Sequence, residues 1–194
     1  VLTAAPQVTK NILLNFLAAQ DEDGEIDGKP GLGGQRGKFL CMPILAGMAW
    51  RYFQTTGDQD FLNEAYPKLV KFFWSWFSGQ HARDRNGAPE WDHILQTGFE
   101  DNPLFDVWHP WSQGLDVSYV HSPSLESMLY REAQMLARIA RQLGKPEEET
   151  TLITAQAEKV KESVEAGWNP RSSFYSYRDR ETGQASTGRV IAKR

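Results

Sequence analysis

The 194-residue sequence contains a single cysteine, Cys41, so it has no second thiol with which to form an intramolecular disulfide. A cluster of thiolate metal ligands is excluded for the same reason. Stability must therefore come from a hydrophobic core. A chain of this size buries roughly 70% of its unfolded surface on folding, which is enough for one such core.

The sequence also lacks a basic block and a long hydrophobic run. It has 21 Lys and Arg against 25 Asp and Glu, a net charge of -4, and no segment concentrates the positive charge that binds nucleic acid or an acidic membrane. The longest mainly apolar run, 69–77, is interrupted by Lys71 and Ser75 and is much shorter than the about 20 residues of a membrane-spanning helix. We expect no nucleic-acid partner and no membrane partner.

Residues 1–10 lack the basic start, apolar stretch and cleavage site of a secretion signal. The cellular compartment is not decided by the sequence, although the absence of a secretion signal and the single cysteine favour the cytoplasm. Because the sequence begins at Val1 without an initiator Met, we expect it to be a fragment of a longer polypeptide.

Apolar spacing predicts five helices arranged mainly as helix–turn–helix pairs, so the predicted fold class is all-α, built from αα-hairpins. Turn and capping residues set the predicted ends of these helices. In chain order the predictions are 6–19, 43–56 with a cap at Gly57, a third helix after the N-cap Asp58, a fourth from Ser122 and Pro123 to Gly144, and a fifth from Pro146.

The third helix is apolar around most of its circumference, which predicts core positions for Trp74 and Trp76. After the fifth helix, 174–179 alternates and is followed by a turn at 180–183, as in one arm of a β-hairpin. The predicted domain is 1–183, and 184–194 is expected to be a loose C-terminal tail.

Between the two helical pairs, residues 82–122 show no helical period, and loops of this length are usually functional. This stretch holds Trp91, Trp108 and Trp111 together with seven carboxylates. Sugar sites combine carboxyl groups that assist bond cleavage with aromatic faces that hold the ring. The tryptophans are therefore candidates for substrate contact, with simple anchoring of the loop as the alternative.

Glu100 and Asp101 lie between Gly98 and Pro103, where the backbone turns on both sides. Adjacent side chains point apart, so one of the two is the candidate proton donor. The alternative is that both are turn-forming or helix-capping carboxylates. His93 lacks the spacing of a zinc ligand pair and is assigned to polar packing or substrate contact; we predict no metal site.

Two groups of motifs resemble the helical barrel of family 63 glycoside hydrolases and their trehalase relatives, over about residues 40–180. The first is Pro43-Ile44-Leu45-Ala46 with 52–58, Phe61-Leu62, Tyr66-Pro67 and Trp74. The second is 86–91 followed by Gln96-Thr97-Gly98-Phe99-Glu100-Asp101-Asn102-Pro103. The latter is similar to the family segment in which a Trp precedes Glu-Ser-Gly-Met-Asp-Asn-Ser-Pro.

The resemblance implies part of an (α/α)6 barrel from an enzyme that hydrolyses α-glycosidic bonds with inversion and without a cofactor. The family's general acid falls on Glu100 without a gap, or on Asp101 with a one-residue shift, and Gln96 replaces the family's Glu. The implied sugar contacts are Trp91, His93, Gln96, Trp108 and Trp111.

In the family the general base is a Glu far downstream, so the resemblance places it outside this chain. The missing barrel helices would come from the rest of the polypeptide or from an oligomer, and the chain alone would be inactive or nearly so. One rival hypothesis is a saccharide-binding or helical scaffolding domain without turnover. Another is a plain α-helical interaction module.

Overall fold

The computed structural model describes residues 1–31, 39–83, 87–98 and 116–185. Within these ranges all five predicted helices are confirmed, with small differences at their ends. They are α1 (Pro6–Ala18), α2 (Leu45–Thr56), α3 (Gln59–Ser75), α4 (Pro123–Gln142) and α5 (Glu147–Ala166).

The first αα-hairpin, α2 and α3, turns at Gly57 and Asp58 as predicted. Gly57 has a φ of 69°, in the left-handed region that glycine adopts at little cost. Asp58 then caps α3, because its Oδ1 accepts a hydrogen bond from Phe61 N at 3.0 Å. Its Oδ2 accepts from Lys10 Nζ at 2.7 Å and from the Tyr52 hydroxyl at 3.0 Å. Asp58 therefore joins α1, α2 and α3.

The second hairpin, α4 and α5, places α4 at the centre of the helical array. Ser122 is the N-cap of α4 and Pro123 occupies its first turn, both as predicted. One face of α4 is buried along its length, because the helix packs against α2, α3 and α5. The outer face of α5 carries exposed charges, including a Lys161 to Glu158 ion pair.

The prediction that Trp74 and Trp76 both lie in the core is right for only one of them. Trp76 is completely buried, whereas Trp74 is 36% exposed. The Trp74 ring contacts Phe73 and Phe77 at ring edges. The prediction for Trp74 is wrong because an apolar face buries only where a neighbouring element covers it.

Four short strands form two antiparallel ladders: β1 (Val120–His121) with β4 (Arg178–Asp179), and β2 (Trp168–Asn169) with β3 (Phe174–Tyr175). The predicted arm 174–179 is therefore divided between two ladders. The turn after it is confirmed, since Gly183 N donates to Asp179 O at 2.9 Å. Most of the predicted tail, 186–194, lies outside the described residues. None of the described helices is long and apolar enough to cross a membrane.

Candidate active site

Residues 87–98, in the first half of the predicted functional loop, form a largely buried segment. Ala88, Pro89, Glu90 and Trp91 are all buried. A short 3-10 turn, Ile94–Gln96, follows them. We call residues 87–98 the anchored segment, because contacts from several distant parts of the chain hold it in place.

Glu90 is the most deeply buried charge of the anchored segment, with no exposed surface. Arg83 and Arg180 surround it: Arg83 N donates to Oε2 at 3.2 Å, and Arg180 Nη1 lies 3.4 Å from Oε1. Burial raises the pKa of Glu90 above its ordinary value, against the opposing effect of these donors. Arg180 also donates to Ser118 O at 3.1 Å and thereby ties the region after β4 to the anchored segment.

Trp91 is a core residue, only 1% exposed. Its ring meets Trp76 edge to face, with centroids 5.7 Å apart. Its Nε1 donates to Ser122 Oγ at 3.1 Å, so the ring also connects to the start of α4. Substrate contact and anchoring of the loop are the two alternatives for Trp91, and its contacts with Trp76 and Ser122 are those of an anchoring residue.

Asp92 lies against a buried imidazole. His81 Nδ1 is 2.9 Å from each oxygen of Asp92, and His81 Nε2 is 3.1 Å from Glu25 Oε1. Arg83 forms a further ion pair with Asp92. Burial lowers the pKa of His81, but Asp92 and Glu25 outweigh it and raise this pKa above its ordinary value. Burial raises the pKa of Asp92, yet His81, Arg83 and Gln96 together hold it below its usual range.

His93 and Gln96 close the turn that ends the anchored segment. Gln96 Oε1 accepts from His93 N at 2.8 Å, while His93 Nδ1 accepts from Leu95 N at 3.2 Å. The His93 ring stacks on Phe39 with centroids 4.7 Å apart. Both predicted contact residues therefore lie in the described structure, in one turn beside Phe39.

A cavity of about 510 Å³ lies next to this turn. Its wall is mainly apolar, with a few polar groups, which is typical of small-ligand pockets. The wall consists of Asp27, Gly28, Lys29, Phe39, Leu40, Cys41, Met42, Ile44, Leu95, Gln96 and Gly98. Burial raises the pKa of the Cys41 thiol to about 12, so it contributes an uncharged surface.

Two residues of the cavity wall, Gly98 and Asp27, have unusual surroundings. Gly98 has a φ of 67°, and a Cβ there would lie 2.8 Å from Met42 Cε, so the backbone at this position suits glycine. Asp27 is a buried carboxylate whose Oδ1 accepts from Lys29 N at 2.7 Å. The sequence predicts that the charged loop containing Asp27 is solvated, whereas Asp27 itself is buried.

The remaining predicted site residues, Glu100, Asp101, Trp108 and Trp111, lie outside the described residues. Gly98, two positions before Glu100, is the last described residue of the anchored segment and belongs to the cavity wall. In the parts of the chain that the structure describes, no group of three or more His, Cys, Asp or Glu side chains is placed to hold a metal ion.

Two αα-hairpins, with an acidic and aromatic segment held beside a cavity, are consistent with part of a helical-barrel glycoside hydrolase. Residues 5–193 match the model of the mannosylglycerate hydrolase MGH1-like glycoside hydrolase domain. The chain belongs to this family, and the resemblance to family 63 glycoside hydrolases is confirmed. Among functionally curated proteins, a search found no match to the chain.

Solved structures from Thermus thermophilus share the fold. An uncharacterized conserved protein is 14% identical, with a TM-score of 0.77, and the alignment covers 96% of this chain and 60% of that one. The GH63 mannosylglycerate hydrolase in complex with glucose is 16% identical, with a TM-score of 0.71 and coverages of 96% and 59%. The same enzyme in complex with Tris and D-glycerate is 16% identical, with a TM-score of 0.73, and the alignment covers 96% of this chain and 61% of that one.

This likeness shows the fold, an all-α array that forms part of an α/α barrel. The chain spans about 60% of the length of the solved structures that it matches. The described elements therefore correspond to one portion of the architecture seen in those longer proteins.

Proposed function

We propose that this chain supplies the general-acid side of a glycoside hydrolase that cleaves α-glycosidic bonds with inversion. The observation that carries the proposal is the position of Gly98 in the cavity wall, two residues before Glu100. One carboxyl of the pair Glu100 and Asp101 would protonate the leaving oxygen at the mouth of this cavity. Trp108 and Trp111 would supply aromatic faces to the sugar, and His93 with Phe39 would border it.

The proposed substrate is a small α-glycoside, with mannosylglycerate as the first choice. One of the structural neighbours is a mannosylglycerate hydrolase, seen with glucose in one crystal and with Tris and D-glycerate in another. A cavity of about 510 Å³ suits a ligand of that size. Lys29 in its wall provides a positive charge suited to the carboxylate of a glycerate group.

Inversion requires a second carboxylate about 6.5 to 9.5 Å from the acid, with a water molecule between them. By resemblance, this base is a Glu late in the barrel. We propose that it comes from helices beyond this chain, supplied by a longer polypeptide or an oligomer, and that the chain alone hydrolyses little or nothing. Its coverage of about 60% of its structural relatives is in keeping with that proposal.

The test measures hydrolysis of mannosylglycerate and a panel of aryl α-glycosides by this chain and by a longer natural polypeptide that contains it. Each is compared with its Glu100→Gln and Asp101→Asn variants, which serve as matched controls for one another. Loss of the general acid is expected to lower kcat by about 10² to 10⁴-fold in one variant only. NMR of the first-released sugar is expected to show the β anomer.

Full activity in both variants would contradict the assignment of the acid. Sugar binding without turnover by the longer polypeptide would instead favour the alternative, a non-catalytic saccharide-binding domain. That alternative shares the cavity and the anchored segment but has no need of a second carboxylate.

A further inference from the structure

The side-chain amide of Gln96 has a partner at each of its hydrogen-bonding positions. Its Oε1 accepts from Asp92 N at 2.6 Å and from His93 N at 2.8 Å. Its Nε2 donates to Asp92 Oδ2 at 3.1 Å and to Leu40 O at 3.3 Å. A carboxamide has two donors and two acceptor lone pairs. Gln96 therefore lies in the cavity wall with no hydrogen-bonding capacity left for a sugar hydroxyl.

Asp92, the principal partner of Gln96, is itself held by positive charge. His81 lies between Asp92 and Glu25, and Arg83 pairs with Asp92 from the other side. Each ring nitrogen of His81 faces a carboxylate oxygen, and the raised pKa of His81 favours the imidazolium form, which donates from both nitrogens. The buried His81 ring thus connects the loop that contains Glu25 to the anchored segment.

These contacts hold the turn 92–97 from two separate parts of the chain. Gln96 bonds to the backbone of Leu40, another residue of the cavity wall. Asp92 is held through His81 to Glu25. The chain leaves this turn through Gly98, whose left-handed backbone is packed against Met42. The backbone up to Gly98, where the described segment ends, is therefore held by the contacts of this turn.

We propose that Gln96 and Asp92 are positioning residues, which hold the turn 92–97 so that the following residues present the acid to the cavity. Its catalytic consequence rests on the proposed function. The hydrogen-bonded arrangement itself can be measured in the protein without any turnover, so the two proposals fail separately.

The decisive variant is Gln96→Glu, which keeps the shape of the side chain and removes both donors. The introduced carboxylate would face the carboxylate of Asp92 and the carbonyl of Leu40, so the turn is expected to open. In the ligand-free protein, the ¹⁵N resonances of the His81 ring are expected to shift. In the active form of the enzyme, kcat is expected to fall by about 10²-fold with a smaller change in KM, since misplacement by about 1 Å has that effect.

Acidification provides a rescue that is specific to this arrangement. When the introduced carboxyl gains a proton it becomes a donor again, so the His81 resonances are expected to return toward their wild-type positions at low pH. Gln142→Glu, an exposed Gln near the end of α4, carries the same change of charge and is the matched control. It is expected to leave the His81 resonances and kcat unchanged.

Asp92→Asn tests the same contacts from the other end with little change in volume. The substitution removes one of the two carboxylate partners of His81. The pKa of His81, measured by NMR titration, is therefore expected to fall, and kcat is expected to fall with it. If Gln96→Glu weakens sugar affinity while the ligand-free His81 resonances stay at their wild-type positions, Gln96 contacts the sugar directly and the positioning role is refuted. If the wild-type enzyme hydrolyses no glycoside, the proposed function fails, and the His81 resonances still decide the role of Gln96.

Discussion

Glu132 on α4 caps the first turn of α2, since its Oε1 accepts a 2.8 Å hydrogen bond from Gly47 N. Its Oε2 accepts from Ala46 N at 2.6 Å. The first backbone N–H groups of a helix lack partners within the helix, and the residue before α2, Ile44, has no side-chain acceptor to offer. A neighbouring helix therefore provides the cap. Burial raises the pKa of Glu132 to about 7, despite these two donors.

This raised pKa predicts that stability falls as the pH rises from about 4.5 to about 7, because the folded state binds more protons there than the unfolded state. The free energy of unfolding, from urea titrations at pH 5 and pH 8, is expected to drop by on the order of 2 kcal/mol more in wild type than in Glu132→Gln. The raised pKa of His81 also lowers stability as the pH rises, but it does so in both proteins. The difference in pH dependence between wild type and Glu132→Gln therefore reports on Glu132 alone. Equal pH dependence in both would contradict the prediction.

Gly47→Ala is expected to destabilise the protein, although alanine is favoured over glycine in helices by about 1 kcal/mol. A Cβ at Gly47 would lie 3.1 Å from Glu132 Oε1, and the buried carboxylate would have to shift away from its donors. In a Glu132→Ala background the obstacle is gone, so the same substitution is expected to stabilise. A double-mutant cycle of urea unfolding measures this reversal, and additive effects would count against it.

Asp58→Ala is expected to lower the free energy of unfolding by about 0.5 to 2 kcal/mol, the usual effect of losing a helix N-cap. Asp58→Asn keeps an acceptor for Phe61 N and should cost less. The Lys10 hydrogen bond and the Phe61 donor lower the pKa of Asp58, so the advantage of Asp over Asn should diminish as the pH falls toward 3. Identical thermal melting of wild type and Asp58→Asn at pH 7 would show that the charged contact with Lys10 contributes little.

Trp91→Phe is expected to lower stability by about 1 to 3 kcal/mol, since it removes the donor to Ser122 Oγ and leaves a small void beside Trp76. The affinity of the folded protein for mannose or D-glycerate should be unchanged, because the ring is buried. Urea unfolding and calorimetric binding provide the two measurements. Reduced affinity at wild-type stability would restore the sugar-stacking role that the sequence suggested.

Most helix ends were predictable because local signals set them. Asp58, Gly57, Ser122 and Pro123 act within one turn of the chain, so their roles follow from the sequence alone. Glu132 was missed, yet it falls in the apolar stripe of α4 between Leu129 and Leu136. A carboxylate in such a stripe signals a buried partner. Its partner, the start of α2, lies 85 residues away and no local pattern points to it.

The site was less predictable than the helices. Composition singled out 82–122 as a functional stretch, but it could not predict the burial of Trp91, which depends on Trp76 and Ser122, both distant from Trp91 in sequence. The same holds for His81, which pairs with Glu25 and Asp92 across three parts of the chain. The placements of Glu100, Asp101, Trp108 and Trp111 stay predictions.

The contact of Arg180 with Glu90 and Ser118 has a practical consequence for anyone redesigning the boundaries of this protein. A version shortened after α5 would retain every described helix but would leave a buried carboxylate without one of the two arginines that neutralise it. It would also remove β4, the partner of the strand that leads into α4. The β1–β4 ladder and Arg180 after it are therefore part of the scaffold that holds the anchored segment, and expression trials should keep them.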